Sequence, residues 1–224
     1  MGSRRGTSGS KIPRGPGRPV GGDAAAVRGA LLQNARELFL KHGFAEVSTR
    51  RIAAAAGTTP AMIHYYFGDK LGLYRAMLEE AMAPLLARLQ QMEQSDAPPD
   101  IEALMTQYMR MLAQNRWLPA LIVKEVLGEG GRLREQFIER WASRLAPAFV
   151  GVLQRERERG HLRPDVDPKL AAVSALGLCI FPFVSLPITS QVLGLSVEGE
   201  GFERLARHTT QLFREGVAAR GATR

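Results

Sequence analysis

One cysteine, Cys179, occurs in 224 residues. A single thiol excludes an internal disulfide framework and fits a reducing cytoplasm. It sits in the apolar run Leu176-Gly177-Leu178-Cys179-Ile180-Phe181, where a buried, inert thiol is expected rather than a nucleophile. Metal-binding spacings are missing too. His42, His64, His161 and His208 are scattered, with no HxxxH or CxxC pattern. Neither a phosphate-binding loop nor a nucleophile elbow occurs. These absences argue against an enzyme, and neither a cofactor nor a metal is expected. No stretch sustains strand alternation, so the expected fold is all-α. The first 22 residues hold no acid. They also lack the apolar core of a secretory signal. A myristoylation signal fails because position 6 is Gly6.

What is present begins with charge. The chain carries a net +8 at pH 7. Residues 1–75 hold 12 Lys/Arg and 4 Asp/Glu, a net of +8, and residues 76–224 hold 18 of each, a net of zero. The whole excess lies in the first third, and a polyanion is the partner this implies. An anionic membrane surface is the other candidate, but the basic segment lacks a bulky apolar face to insert. The arm, residues 1–22, is rich in Gly, Pro and Ser and carries Arg4, Arg5, Lys11, Arg14 and Arg18. It cannot build a core. Pro16-Gly17-Arg18-Pro19, preceded by Arg14, resembles an AT-hook core, whose arginine reaches into a narrow A·T minor groove. A solvated tail or a cloning remnant explains the same residues.

The rest of the chain is organised around Ser48 to Lys70, STRRIAAAAGTTPAMIHYYFGDK. Asp23 is a cap for an amphipathic helix to about His42, with Val27, Leu31, Leu32, Ala35, Leu38 and Phe39 at helical spacing. Ser48 is then a helix N-cap. Thr49 to Ala56 reads as a short helix with Ile52, Ala53 and Ala56 inward. Gly57 supplies the left-handed turn residue. Thr58 or Thr59 caps the next helix, with Pro60 at its first position. That helix has Ile63 and Phe67 inward, leaving Thr59, Pro60, Ala61, Met62, His64, Tyr65 and Tyr66 for other faces. Two short helices with a tight turn are the layout of a helix-turn-helix, whose second helix enters the major groove. Gly68-Asp69 opens the following helix. Lys70 in its first turn opposes the helix dipole, which a phosphate partner would compensate.

The residues TRRIAAAAG, TTPAMIHYYFGDK and LGLY resemble the DNA-binding motif of the tetracycline-repressor (TetR) family of bacterial transcription regulators. With the preceding helix the resemblance covers about residues 24–75. Thr58, Thr59, Pro60 and His64 depart from residues common in the family. These are reading positions, so the departures bear on the operator sequence. The resemblance implies that Arg50 and residues 59–66 read bases or line the groove, and that Thr49, Tyr66 and Lys70 mainly hold phosphate. The stretch from Trp117 to Gly131 is similar to the C-terminal domain of a subgroup often associated with efflux or membrane-stress genes.

Beyond residue 76 helices are expected near 100–114, 117–128, 132–160, 167–190 and 200–219, after a long helix to about Gln94 that Pro84 kinks or interrupts. Leu170 to Val197 contains no charge. Length alone permits a membrane span there, but Pro182, Pro187 and several hydroxyls interrupt it, and a helix apolar all round is more economically a buried one. Its surplus apolar surface, with that of the last helix, suits either internal packing or a dimer interface. The resemblance implies an interface, through Val173, Leu176, Phe202, Leu205, Thr209, Leu212 and Phe213. It also implies an effector pocket. The adaptable and aromatic cluster Met105, Tyr108, Met109, Trp117, Phe137, Trp141 and Phe181 is the candidate lining, with core packing as the alternative.

The expectation is thus an all-α protein of three parts: the arm 1–22, a helix-turn-helix domain 23–75, and a helical effector and dimerisation domain 76–220. It would be a cytoplasmic homodimer that binds palindromic double-stranded DNA as a repressor and leaves it when an apolar or amphipathic small molecule binds. A constitutive architectural DNA-binder and a membrane-anchored regulator using residues 170–190 are the rivals.

Overall fold

The computed structural model describes residues 21–94, 100–129 and 133–219. Arg14, Arg18 and the arm as far as Val20 therefore lie outside the described residues, whereas Gly21 and Gly22 already belong to the first helix. The described chain is helical, apart from one isolated antiparallel bridge between Leu162 and Ala218.

Three helices form the N-terminal unit: α1 (Gly21–His42), α2 (Thr49–Ala55) and α3 (Pro60–Phe67). Helix α1 begins before Asp23, so that residue lies inside the helix and not ahead of it. Leu31, Leu32, Ala35 and Phe39 form its buried stripe, one residue in every three or four. They meet Ile52 and Ala53 from α2 and Ile63 from α3. Ser48 Oγ accepts from the Arg51 amide at 3.2 Å, as a helix N-cap requires. Gly57, at φ +65°, turns the chain, and the Thr58 amide donates to the Ala53 carbonyl. Thr59 stands at the N-cap of α3 but its side chain makes no capping bond.

Helix α4 (Lys70–Gln94) is roughly 37 Å long and joins the two halves as one rod. Pro84 does not interrupt it. A proline removes one amide and strains one turn. Met82 and Leu85 beside it are buried and hold the rod in place.

The C-terminal half is built from α5 (Ile101–Gln114), α6 (Trp117–Leu121), α7 (Arg134–Phe137), α8 (Ser143–Glu158), α9 (Pro168–Val184), α10 (Leu186–Val192) and α11 (Gly199–Val217). Helix α6 runs on as a wider π-helical turn, Ile122–Leu127, and a second such turn, Ile138–Ala142, joins α7 to α8. Helix α5 sits centrally, against α4, α8, α9 and α11. The single helix expected over 167–190 is two, bent by 66° at Ser185. Leu186 begins the second, and Pro187 stands in its first turn, where a proline is tolerated. No single described helix is long and apolar enough to cross a membrane; the bent α9–α10 pair meets the length and composition test together.

Candidate DNA-binding surface and effector cavities

Helix α3 presents one open face. Ile63 is fully buried, whereas Ala61, His64 and Tyr65 are exposed at positions i, i+3 and i+4 of one side. Tyr65 is 61% exposed, and a large ring left in water on a short helix marks a contact surface. The His64 ring is held in place. Its Nδ1 lies 2.6 Å from the Gly68 carbonyl. A carbonyl only accepts, so Nδ1 carries the hydrogen, and in the neutral ring Nε2 is an outward-facing acceptor. Arg50 is exposed on α2, and Thr49 is half-buried beside it.

Two expected contacts sit differently. The Tyr66 hydroxyl is enclosed and without a partner, and its ring packs edge-on against Tyr65, 4.9 Å between centroids. As placed, it has no path to a phosphate. Met62 packs partly against the core, so less of it faces outward than its position suggests. Pro60 is half-buried at the start of the helix.

Lys70 has work inside the fold. Its ammonium donates to the Phe44 carbonyl at 2.6 Å and the Val47 carbonyl at 2.7 Å. It also stands 4.3 Å above the Phe44 ring. The lysine latches the turn between α1 and α2 to the start of α4. The phosphate role expected for it would have to be shared with this latch. Asp69 caps the same helix, its Oδ1 accepting from the Gly72 amide at 2.6 Å. Arg51 donates to His42 Nε2 at 2.7 Å. Arg28 and Arg36 of α1 both reach Glu80 of α4, at 2.9 and 2.5 Å. Burial alone would raise the Glu80 carboxyl, but the two arginines outweigh it and hold it below the usual carboxylate range. None of these long-range pairs leaves a signal in the sequence.

The effector lining expected from the aromatic cluster is mostly filled core. Met105, Tyr108, Met109, Trp117 and Trp141 are buried. Tyr108 packs on Phe149 and half-buried Phe137 on Trp141. Phe181 points the other way, 66% exposed. Two spaces stand out among the described residues. A cleft of about 380 Å³ between α4 and α8 has Leu89 and Val152 in its floor and Arg144 and Arg155 at its rim. A second cavity, about 220 Å³, lies where α1 meets α6 and includes Trp117 in its wall. Cys179 is buried, its thiol pushed up to about 12 by burial, as an inert core thiol should be. Among the described residues, no three potential metal ligands gather.

The last helices carry two apolar stripes each. On α9, Ala171, Ala175 and Cys179 face inward, and Leu170, Val173 and Phe181 face out. On α11, Phe202, Thr209 and Phe213 are buried within the chain, against the interface role expected for them. Phe202 lies under the Arg110 guanidinium, for example. Leu212 is exposed and Leu205 half-buried, as is Leu176 on α9. The outward face of Leu170, Val173, Phe181, Ile188, Val192 and Leu212 is too apolar for ordinary solvent.

A helix-turn-helix with a reading face, on a long rod leading into a helical body with a bare apolar face, agrees with the family models. Residues 31–77 match that for bacterial regulatory proteins of the tetR family, and residues 99–213 match a tetracyclin repressor-like C-terminal domain. The chain belongs to the TetR family. This member is 26% identical over 164 residues to the HTH-type transcriptional repressor BepR of Brucella suis biovar 1, covering 70% of this chain and 78% of that one. To the repressor KstR2 of Mycobacterium tuberculosis it is 27% identical over 154 residues, 67% of this chain and 76% of the relative. The solved structure of that ketosteroid regulator superposes with a TM-score of 0.69 at 20% identity, covering 86% of this chain and 95% of the other. The protein is therefore a DNA-binding transcriptional regulator of the helix-turn-helix class, with the TetR fold.

Proposed function

We propose that this TetR-family chain is a homodimeric repressor that a small molecule releases from a palindromic operator. The exposed Ala61–His64–Tyr65 face of α3 carries the proposal. Helix α3 is about 12 Å long, which fits within the major groove. A neutral His64 with Nε2 outward accepts from an exocyclic amine, adenine N6 or cytosine N4. Tyr65 supplies a hydroxyl and a flat apolar ring, and Ala61 leaves room for a thymine methyl. Arg50, Thr49, Thr59 and Lys70 are the proposed backbone contacts, with Thr59 bringing a hydroxyl that no cap uses. Arg14 and Arg18 of the arm would add minor-groove or phosphate contacts. The outward face of α9, α10 and α11 would pair with its two-fold copy, setting two α3 helices one DNA turn apart, about 34 Å.

Release would follow from differential affinity. If the effector favours a different separation of the two reading heads, a coupling of about 1–3 kcal/mol weakens DNA binding ~5–150-fold. The family relationship and the resemblance of residues 117–131 to an efflux-associated subgroup support trying apolar and amphipathic compounds first. The test is operator binding by the full chain, measured with and without a panel of apolar, cationic and anionic amphiphiles. A compound that lowers operator affinity at least fivefold supports a ligand-released repressor. Selective binding that every compound leaves unchanged would instead favour a constitutive DNA-binder.

A further inference from the structure

At the junction of the two halves a buried residue, Glu125, carries a carboxylate with no hydrogen-bond or ion-pair partner among the described residues. It sits in the π-helical turn Ile122–Leu127 and is 7% exposed. A buried charge is costly unless something pairs with it. Two polar atoms nearby are enclosed and without a hydrogen-bond partner, Trp117 Nε1 and the Tyr74 hydroxyl. Trp117 and Tyr74 stack edge-on at 6.5 Å. Burial, and then the nearby Glu125 charge, push the Tyr74 phenol far above its usual range. Glu125 and Trp117 both line the cavity of about 220 Å³, whose other walls include Phe39, Phe44, Leu121 and His42. Lys124 stands at the same cavity, exposed, with its ammonium against Gly43 and no ion pair to Glu125.

We propose that this junction cavity binds a small organic cation, with Glu125 as its counter-ion, and that occupancy changes operator affinity. The chemistry of the walls selects the ligand. Phe39 and Trp117 supply aromatic walls suited to a cation, while the Phe44 ring already carries the Lys70 ammonium 4.3 Å from its centroid. The carboxylate accepts from a ligand N–H, and Trp117 Nε1 donates to a ligand oxygen where one is present. The volume equals roughly seven waters of liquid, so the ligand is of simple arylalkylamine size. A π-helical turn is a common device for re-aiming side chains at a functional site.

The position explains the coupling. The cavity wall includes Phe44 and His42 of the N-terminal unit as well as residues of α6 and its π turn. His42 accepts from Arg51 on α2. The Phe44 carbonyl accepts from Lys70 at the start of α4. A ligand wedged there touches the turn that positions both helices of the reading head. The proposal rests on the ligand-released reading and gives it a site.

The test uses three probes of one shape: phenethylamine, 2-phenylethanol and 3-phenylpropionate. Their binding to the full chain is measured by calorimetry at pH 7, and operator affinity is measured alongside. The amine should bind about tenfold or more tightly than the other two. Glu125→Gln should remove that preference without weakening the alcohol. Ala120→Phe, on an exposed part of the wall, should block all binding, and thermal unfolding shows that each variant is folded. The bound amine should weaken operator binding at least about fivefold. Equal binding of amine and alcohol, or an amine affinity that Glu125→Gln leaves unchanged, overturns the site. Amine binding with no change in operator affinity overturns the coupling. If another compound releases the operator while phenethylamine does not, this site is wrong and the ligand-released repressor stands. If no compound releases it, both fall.

Discussion

Replacing Lys70 by alanine removes a latch that includes at least three contacts. Two are charge-assisted hydrogen bonds, to the Phe44 and Val47 carbonyls at 2.6 and 2.7 Å. Bonds to a charged group contribute about 1.5–3 kcal/mol each. The third is the ammonium over the Phe44 ring at 4.3 Å, about 0.5–1 kcal/mol for a partly exposed pair. The lysine is half-buried, so water recovers part of the loss. We expect a net cost of about 2–4 kcal/mol, against a typical total of about 5–15 kcal/mol. For a chain of this size each kcal/mol lowers Tm by roughly 2–4 °C. Thermal unfolding followed by circular dichroism should therefore show a drop of roughly 5–15 °C. Lys70→Met, which keeps the stem and loses the charge, should fall nearly as far. Operator affinity of Lys70→Ala across a salt series separates the latch from a phosphate contact. Loss of a phosphate contact lowers the salt slope by about one. An unchanged Tm in both variants would refute the latch.

Arg214 joins Glu102 and Glu156, and the Glu156 side chain is only 3% exposed. Arg214→Ala leaves that carboxylate with only the long Ile101 amide contact at 3.4 Å, so the urea midpoint should fall by the equivalent of about 3 kcal/mol, with Arg214→Lys recovering part. The Glu80 carboxyl is held below its ordinary value in the folded state. Its contribution is therefore present at neutral pH and lost as pH falls through that depressed value; an acid titration of stability should be shallower in Glu80→Gln, by a small amount because Glu80 is 41% exposed. Val173→Asp combined with Phe181→Asp places charge on the outward face of α9. Analytical ultracentrifugation should find a monomer with near-normal helicity and weakened operator binding; an unchanged dimer would put the interface elsewhere.

The reading head was legible because its signals are local. A serine cap, a turn glycine and a proline at a helix start each act within a few residues, and Ser48, Gly57 and Pro60 do so here. The body was legible in outline and not in orientation. Helix α11 has two apolar stripes, and spacing alone does not say which is inward. Phe202, Thr209 and Phe213 proved to be core, Leu205 half-buried against it, and Leu212 exposed. Phe181 follows the same rule on α9: an aromatic in an apolar run looks like core until its neighbours fix the helix rotation. The latch was invisible for a different reason. Lys70 meets carbonyls 26 and 23 residues earlier, and backbone acceptors have no sequence signature. The same holds for Glu125, whose burial depends on where α1 lands against α6.

The central claim is that the exposed face of α3 reads DNA. It is tested by selecting bound duplexes from a random pool with the full chain and with His64→Ala and Tyr65→Ala. Both positions are exposed, so the variants should fold as the parent does. The selected duplexes should be palindromes with half-sites about one helical turn apart. Each variant should lose preference at its own base pairs, with a cost of about 1–3 kcal/mol there. A parent that selects no sequence, or variants that keep every preference of the parent, would contradict the account.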